Sequence, residues 1–196
     1  ERTRLARAFP LDSQLPLPSD IGDLLSWLPI KDILRRVDGP VTDFDDFVQR
    51  TPGDPRWEET DFGGDGDRFG TPMLWLFSWY DVGVAPNIAL YNHARDNGWT
   101  DADGQSQYMV ISPVEHCAFG RETEQTIVGE RDVGDARFDY ASLYVDWFDH
   151  WLKGVDNGVT ERPQVQAYVM GGDEWVSSDE FPRVGTRQLA YYLHSD

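Results

Sequence analysis

Positive charge and cysteine are both scarce in this chain. Its 196 residues hold 17 Lys and Arg against 35 Asp and Glu, a formal net charge of −18. That balance excludes the basic surface needed to hold nucleic acid or an anionic membrane. The single cysteine, Cys117, rules out an internal disulfide framework and leaves the compartment open, cytoplasmic or secreted. No apolar run approaches the roughly 18 residues of a membrane-spanning helix. The opening residues, ERTRLARAFPLDS, lack the apolar core of a signal peptide, so the chain is expected to be soluble. A G-x-S-x-G turn is also missing, and with it the usual seat of a nucleophilic serine. The Gly- and Asp-rich stretch GGDGDRFG at 63–70 lacks the alternating ligands and closing glutamate of a calcium loop and reads as a linker.

Aromatic residues are abundant: eight Trp, eight Tyr and ten Phe supply enough apolar surface for one sizeable core or parts of two. The chain is organised around 68–120. The apolar run 72–77 has strand length and breaks off into Ser78, Trp79, Tyr80 and Asp81. A second run, 108–111, leads through Pro113 to His116. Between them, 86–97 has helical apolar spacing and stops at Gly98, so the block reads strand, helix, strand. Parallel neighbours return the chain to one edge of a sheet, which is where open α/β sheets place their sites. A carboxylate that accepts a hydrogen bond from one imidazole nitrogen fixes the tautomer and leaves the other nitrogen free as a base. Asp81 and His116 are therefore either two thirds of a nucleophilic triad or two ordinary turn residues, and spacing alone leaves both readings open.

Four blocks carry a resemblance. They are SWYD at 78–81, ISPVEH at 111–116, WFDHWLKGVDNGV at 147–159 and VQAYVMGGDEWVSSDEFP at 165–182. In this order they resemble the α/β-hydrolases of the cocaine esterase and X-prolyl dipeptidyl aminopeptidase superfamily, which includes α-amino acid ester hydrolases. The resemblance implies that Asp81 and His116 are catalytic and that the serine and the oxyanion donor precede the region matched here. It also implies acyl transfer to water with no metal or organic cofactor. Ser78 stands where the family has glycine, which makes it a poor nucleophile. The chain is accordingly expected to be the carboxy-terminal portion of a longer hydrolase, or one chain of a processed one, partnered by the remainder of that hydrolase.

The flanking regions extend this expectation. Pro10, Pro16 and Pro18 mark an extended entry, followed by helical spacing at 21–28 and 30–37, a capping arrangement of Thr42 with Asp45, and a short helix at 43–50. The resemblance assigns 1–67 to a helical cap segment and linker, to whose pocket Trp27, Phe44, Phe47 and Trp57 could contribute. It assigns 68–158 to the hydrolase core and 159–196 to the start of a jelly-roll β-sandwich. The polar stretch 120–138 is expected to face water. An aromatic stripe of Tyr140, Leu143, Tyr144, Trp147, Phe148, Trp151 and Leu152 predicts a strong amphipathic helix ended by Gly154, with His150 a helix residue. Period-two spacing then predicts strands at 165–169 and 188–193.

Trp79, Tyr80, Val82 and Phe119 give the expected site an apolar, aromatic setting that suits an uncharged acyl group. Val82, Gly83 and Val84 follow Asp81 where α-amino acid ester hydrolases carry ammonium-binding carboxylates, a departure that weakens the amino-ester reading. The function expected first is a serine-type ester or amide hydrolase acting on a small molecule. X-prolyl dipeptidyl peptidase or α-amino acid ester hydrolase is the enzymatic alternative, and a catalytically inactive interaction module is the alternative of another class. Assembly into a homo-oligomer is compatible with each.

Overall fold

A computed structural model describes residues 23, 26–36, 38, 40–60 and 64–193. Contacts divide the chain into two units, Glu1–Phe62 and Gly63–Asp196.

In the first unit, a 3-10 turn at Ile30–Asp32 runs into helix α1, Ile33–Arg36. Helix α2, Asp43–Phe47, opens with the expected capping box: Thr42 accepts from the Phe44 N–H, and Asp45 accepts from the Thr42 N–H. These contacts satisfy donors that a helix start leaves open. A further 3-10 segment, Pro55–Thr60, brings Trp57 to 5.7 Å from Phe47, with the Arg50 guanidinium lying over both rings. Half of the expected helix at 21–28, with Ile21, Leu24 and Leu25, lies outside the described residues.

The second unit is a mixed α/β arrangement. Strand β1, Met73–Tyr80, leads to helix α3, Val84–Asp96. The short helix α4, Asp101–Gln105, follows, and then strand β2, Gln107–Glu115. A small hairpin of β3, Ile127–Val128, and β4, Arg131–Asp132, precedes helix α5, Tyr140–Lys153. Strands β5, Val165–Val169, and β6, Glu174–Ser178, complete it. Among the described residues the larger sheet has the order β1-β2-β5-β6, parallel except for antiparallel β6.

β2 is buried along nearly its whole length because it is covered on both faces. Tyr108 and Val110 point to α5, where they pack with Tyr140, Leu143 and Trp147. Met109 and Ile111 point the other way, to Phe77, Tyr91 of α3 and Val165. This alternation is the period of a strand, and each large side chain so buried stabilises the unit by about 1.5–3 kcal/mol. α5 begins where the Asp139 carboxylate accepts from the Ser142 N–H and ends where Gly154 turns left-handed at φ 70°.

Three expectations are corrected. The strand at 165–169 does not open a separate sandwich: it pairs with β2, from Met109 opposite Val165 to Ile111 opposite Ala167, and so belongs to the central sheet. Residues 188–193 form no strand. Leu189, Tyr191, Tyr192 and Leu193 are all exposed, and an alternating pattern without a neighbouring edge has no hydrogen-bond ladder to join. The polar stretch 120–138 is not wholly solvated, because Val128, Val133 and Ala136 are buried around Tyr168, whose hydroxyl donates to the Val133 carbonyl.

Candidate active site

The site is built by strand register. β1 and β2 run level from Met73 opposite Gln107 to Ser78 opposite Ser112. The register then shifts by one, so that Tyr80 lies opposite Glu115. β2 thus carries one extra residue in a bulge at Pro113 and Val114. A proline is tolerated there because a bulge releases it from donating to the ladder. Beyond this level pair each strand has one more step, to Asp81 on one side and His116 on the other.

His116 Nδ1 lies 2.6 Å from Asp81 Oδ2, a short charge-assisted contact. The other carboxylate oxygen, Oδ1, accepts from the Gly83 N–H at 2.8 Å, closing a turn in which Asp81 holds its own chain two residues on. Above the strand end, the Asp81 N–H donates to the Ser78 carbonyl, and the Val84 N–H, in the first turn of α3, donates to the Asp81 carbonyl. Asp81 is thereby fixed at both its backbone and its side chain. The Gly83 donor, and after it His116, holds the Asp81 carboxyl below the ordinary carboxylate value, so it is ionised at neutral pH. The carboxylate is mostly covered, its side chain 17% exposed, whereas the His116 side chain is 73% exposed. Nε2 has no hydrogen-bond partner among the described residues.

The loop after His116 is tied back to the fold. The Tyr140 hydroxyl, on the first residue of α5, donates to Glu122 at 2.9 Å, and Phe119 packs 6.0 Å from the Tyr140 ring. Cys117 is exposed with its backbone in the left-handed region at φ 57°. The other residues predicted to surround the site are placed differently from one another. Val82 is fully exposed and Tyr80 partly so. Trp79 is a strut, its indole N–H donating to the Tyr168 carbonyl at 2.8 Å and its ring packed on Phe181. Phe119 belongs to the cluster that packs on α5. His150 is remote from this chemistry in its bonding: Nδ1 meets the Val155 carbonyl at the end of α5.

Two contributors were missed in the sequence. Gly83 supplies the N–H that orients Asp81, and the spacing Asp-Val-Gly is a recognisable side-chain turn that could have revealed it. Ser78 is fully buried, with its Oγ donating to the Glu115 carbonyl at 3.1 Å. Its hydroxyl is committed to the scaffold, and no sequence signal announces that. Among the described residues no group of three or more His, Cys, Asp and Glu side chains converges as a metal site would. None of the described helices is long and apolar enough to cross a membrane.

No protein-family model matches the chain. Individual relatives do. Over 152 residues, 76% of this chain and 25% of the relative, it is 25% identical to cocaine esterase of Rhodococcus sp. (strain MB1 Bresler). Over 127 residues, 65% of this chain and 18% of each relative, it is 26% identical to candidate serine esterases of Mycobacterium bovis and Mycobacterium tuberculosis. The aligned part thus spans a quarter or less of the length of these curated relatives. This distant similarity links the chain to the α/β-hydrolase superfamily, and the mixed sheet with helices on both faces is consistent with part of such a fold. The similarity to esterases and the paired His and Asp are together consistent with a serine-hydrolase type of function.

Proposed function

We propose that this chain supplies the acid and base of a serine acyl hydrolase, with Asp81 orienting His116 and the nucleophilic serine carried by polypeptide outside these 196 residues. The observation that carries the reading is the 2.6 Å contact between His116 Nδ1 and Asp81 Oδ2 at the rim of a parallel strand pair. Ionised Asp81 holds the proton on Nδ1. The exposed Nε2 lone pair then accepts the proton of the serine hydroxyl as it attacks the acyl carbon. Nε2–H next protonates the leaving alcohol or amine. In the second half the same nitrogen takes a proton from water as it attacks the acyl-enzyme and passes it to the serine oxygen as the acid leaves. Tyr80 and Val82, the chain neighbours of Asp81, are exposed and apolar or aromatic, which supports a small ester or amide with an uncharged acyl group as substrate.

A fluorophosphonate probe tests this directly. The complete hydrolase is expected to be labelled at a serine outside this chain, and His116→Ala to abolish labelling. Labelling that survives His116→Ala would remove the residue from the chemistry. Labelling at a serine within the chain would place the nucleophile here after all, and no labelling of the folded complete protein would favour an inactive module.

A further inference from the structure

The level pairing of β1 and β2 breaks just where the two site residues are about to leave the sheet. A bulge of this kind frees backbone groups from the ladder and loosens the geometry beyond it. At this bulge the loosened group is held from the neighbouring strand: the buried Ser78 Oγ donates to the Glu115 carbonyl, 3.1 Å away. That carbonyl belongs to the same planar peptide unit as the backbone nitrogen of His116. Fixing the oxygen therefore fixes the direction in which the His116 Cα, and with it the imidazole, leaves the strand. The backbone carbonyl of Ser78 meanwhile accepts the Asp81 N–H at 3.2 Å. One residue thus touches the peptide that precedes His116 with its side chain and the peptide nitrogen of Asp81 with its main chain.

We infer that Ser78 is a positioning residue that sets the mutual placement of Asp81 and His116 by clamping the β2 bulge to the end of β1. The inference rests on the proposed role of that pair. It also accounts for a serine at a position where a glycine was expected: a glycine could hold Asp81 through its carbonyl but could not reach Glu115. A hydroxyl engaged in this way, with no solvent access, is unsuited to attack a substrate.

The test reads the imidazole itself and needs no turnover. In the full chain labelled with ¹⁵N-histidine, at a pH where the ring is neutral, the nitrogen shifts of His116 give the ratio of the Nδ1–H to the Nε2–H tautomer. Ser78→Ala is expected to lower that ratio about five- to tenfold, the factor that one lost hydrogen bond of ordinary strength supplies. Ser78→Thr, which keeps the hydroxyl, is expected to hold it near the wild-type value. If Ser78→Ala does not fold, Ser78→Cys keeps the volume with a weaker donor and should shift the ratio in the same direction. An unchanged ratio in a folded Ser78→Ala or Ser78→Cys chain, or equal shifts in Ser78→Ala and Ser78→Thr, would overturn the inference. A changed ratio together with absent fluorophosphonate labelling would leave the clamp standing and remove the hydrolase reading. In an active complete enzyme, Ser78→Ala should lower kcat by a similar factor and leave KM near its starting value.

Discussion

Replacing Asp81 by asparagine tests the site most sharply, because the surrounding hydrogen bonds dictate which way the new amide must face. Oδ1 accepts the Gly83 N–H at 2.8 Å, so the amide oxygen of the Asp81→Asn variant is retained there. Its NH₂ then falls where Oδ2 was, against His116 Nδ1. Two donors cannot face each other, so the ring proton moves to Nε2 and the base is lost. The charge-assisted bond favours the Nδ1–H form by about 1.5–3 kcal/mol, and the amide favours the other form by about 1 kcal/mol. Because the Nδ1–H form already dominates in the wild type, only the variant's reversed preference lowers turnover, cutting the active tautomer to roughly one sixth, a cost of about 1 kcal/mol. Losing the carboxylate opposite the imidazolium formed in the transition state adds about 1 kcal/mol, a small figure because the His116 side chain is 73% exposed and water screens the pair. At 1.36 kcal/mol per tenfold, these two costs lower kcat roughly 30-fold. That is less than the roughly 10⁴-fold loss known for the same change in a more enclosed protease triad. The assay is hydrolysis of p-nitrophenyl acetate by the complete enzyme, with the His116 nitrogen shifts read in parallel. Turnover within tenfold of wild type, or a ring still protonated on Nδ1, would refute the reasoning.

Three predictions concern stability and are read by urea unfolding of the chain. Trp147→Ala removes a ring that is 5% exposed and lies edge-on to Tyr108 at 5.5 Å. It should cost about 3–5 kcal/mol, and a loss below about 1 kcal/mol would mean that α5 does not anchor the sheet. Gly154→Ala puts a side chain on a left-handed residue at φ 70° and should cost about 1 kcal/mol. No loss would show that the helix end can move. Asp54, Asp81, Asp132, Asp135 and Asp139 all titrate below the ordinary 3.8, Asp54 at about 2 through its hydrogen bonds from Arg56. Each depressed carboxyl favours the folded state in full above about pH 4 and gives up that contribution as pH falls through its folded value. The unfolding midpoint should therefore drop between pH 4 and pH 2, and a flat midpoint across that window would contradict the assignment.

What could be read from the sequence is what local chemistry decides. β1 and β2 each contain a continuous apolar run of strand length, and α5 repeats its aromatic stripe at helical spacing, so their type follows from burial. That Asp81 and His116 each follow a strand was visible for the same reason. β6 was not, because its residues reach only intermediate burial and its extension comes from pairing with β5, from Val165 opposite Ser178 to Val169 opposite Glu174. The β3 and β4 hairpin is two residues a side, too short for any period to register. The placement of Trp79 also depends on a distant partner: its indole is directed by the Tyr168 carbonyl, 89 positions away. A pattern reading of the residues beside Asp81 could treat it only as an aromatic near the site.

The bulge in β2 is what makes the Asp81 and His116 pair geometrically possible. From the level pair Ser78 and Ser112, Asp81 is three residues on and His116 is four (81 − 78 and 116 − 112). Side chains on a strand alternate between faces, so a carboxylate and an imidazole offset by one residue would be sent to opposite sides of the sheet. The extra residue at Pro113 and Val114 absorbs that offset and restores level pairing at Tyr80 and Glu115. Asp81 and His116 then depart side by side across a strand spacing of about 4.8 Å, a gap that two short polar side chains can close to 2.6 Å. The irregular feature of the sheet and the regular contact at its rim are therefore one structural fact, and the hydroxyl of Ser78 lies where the two meet.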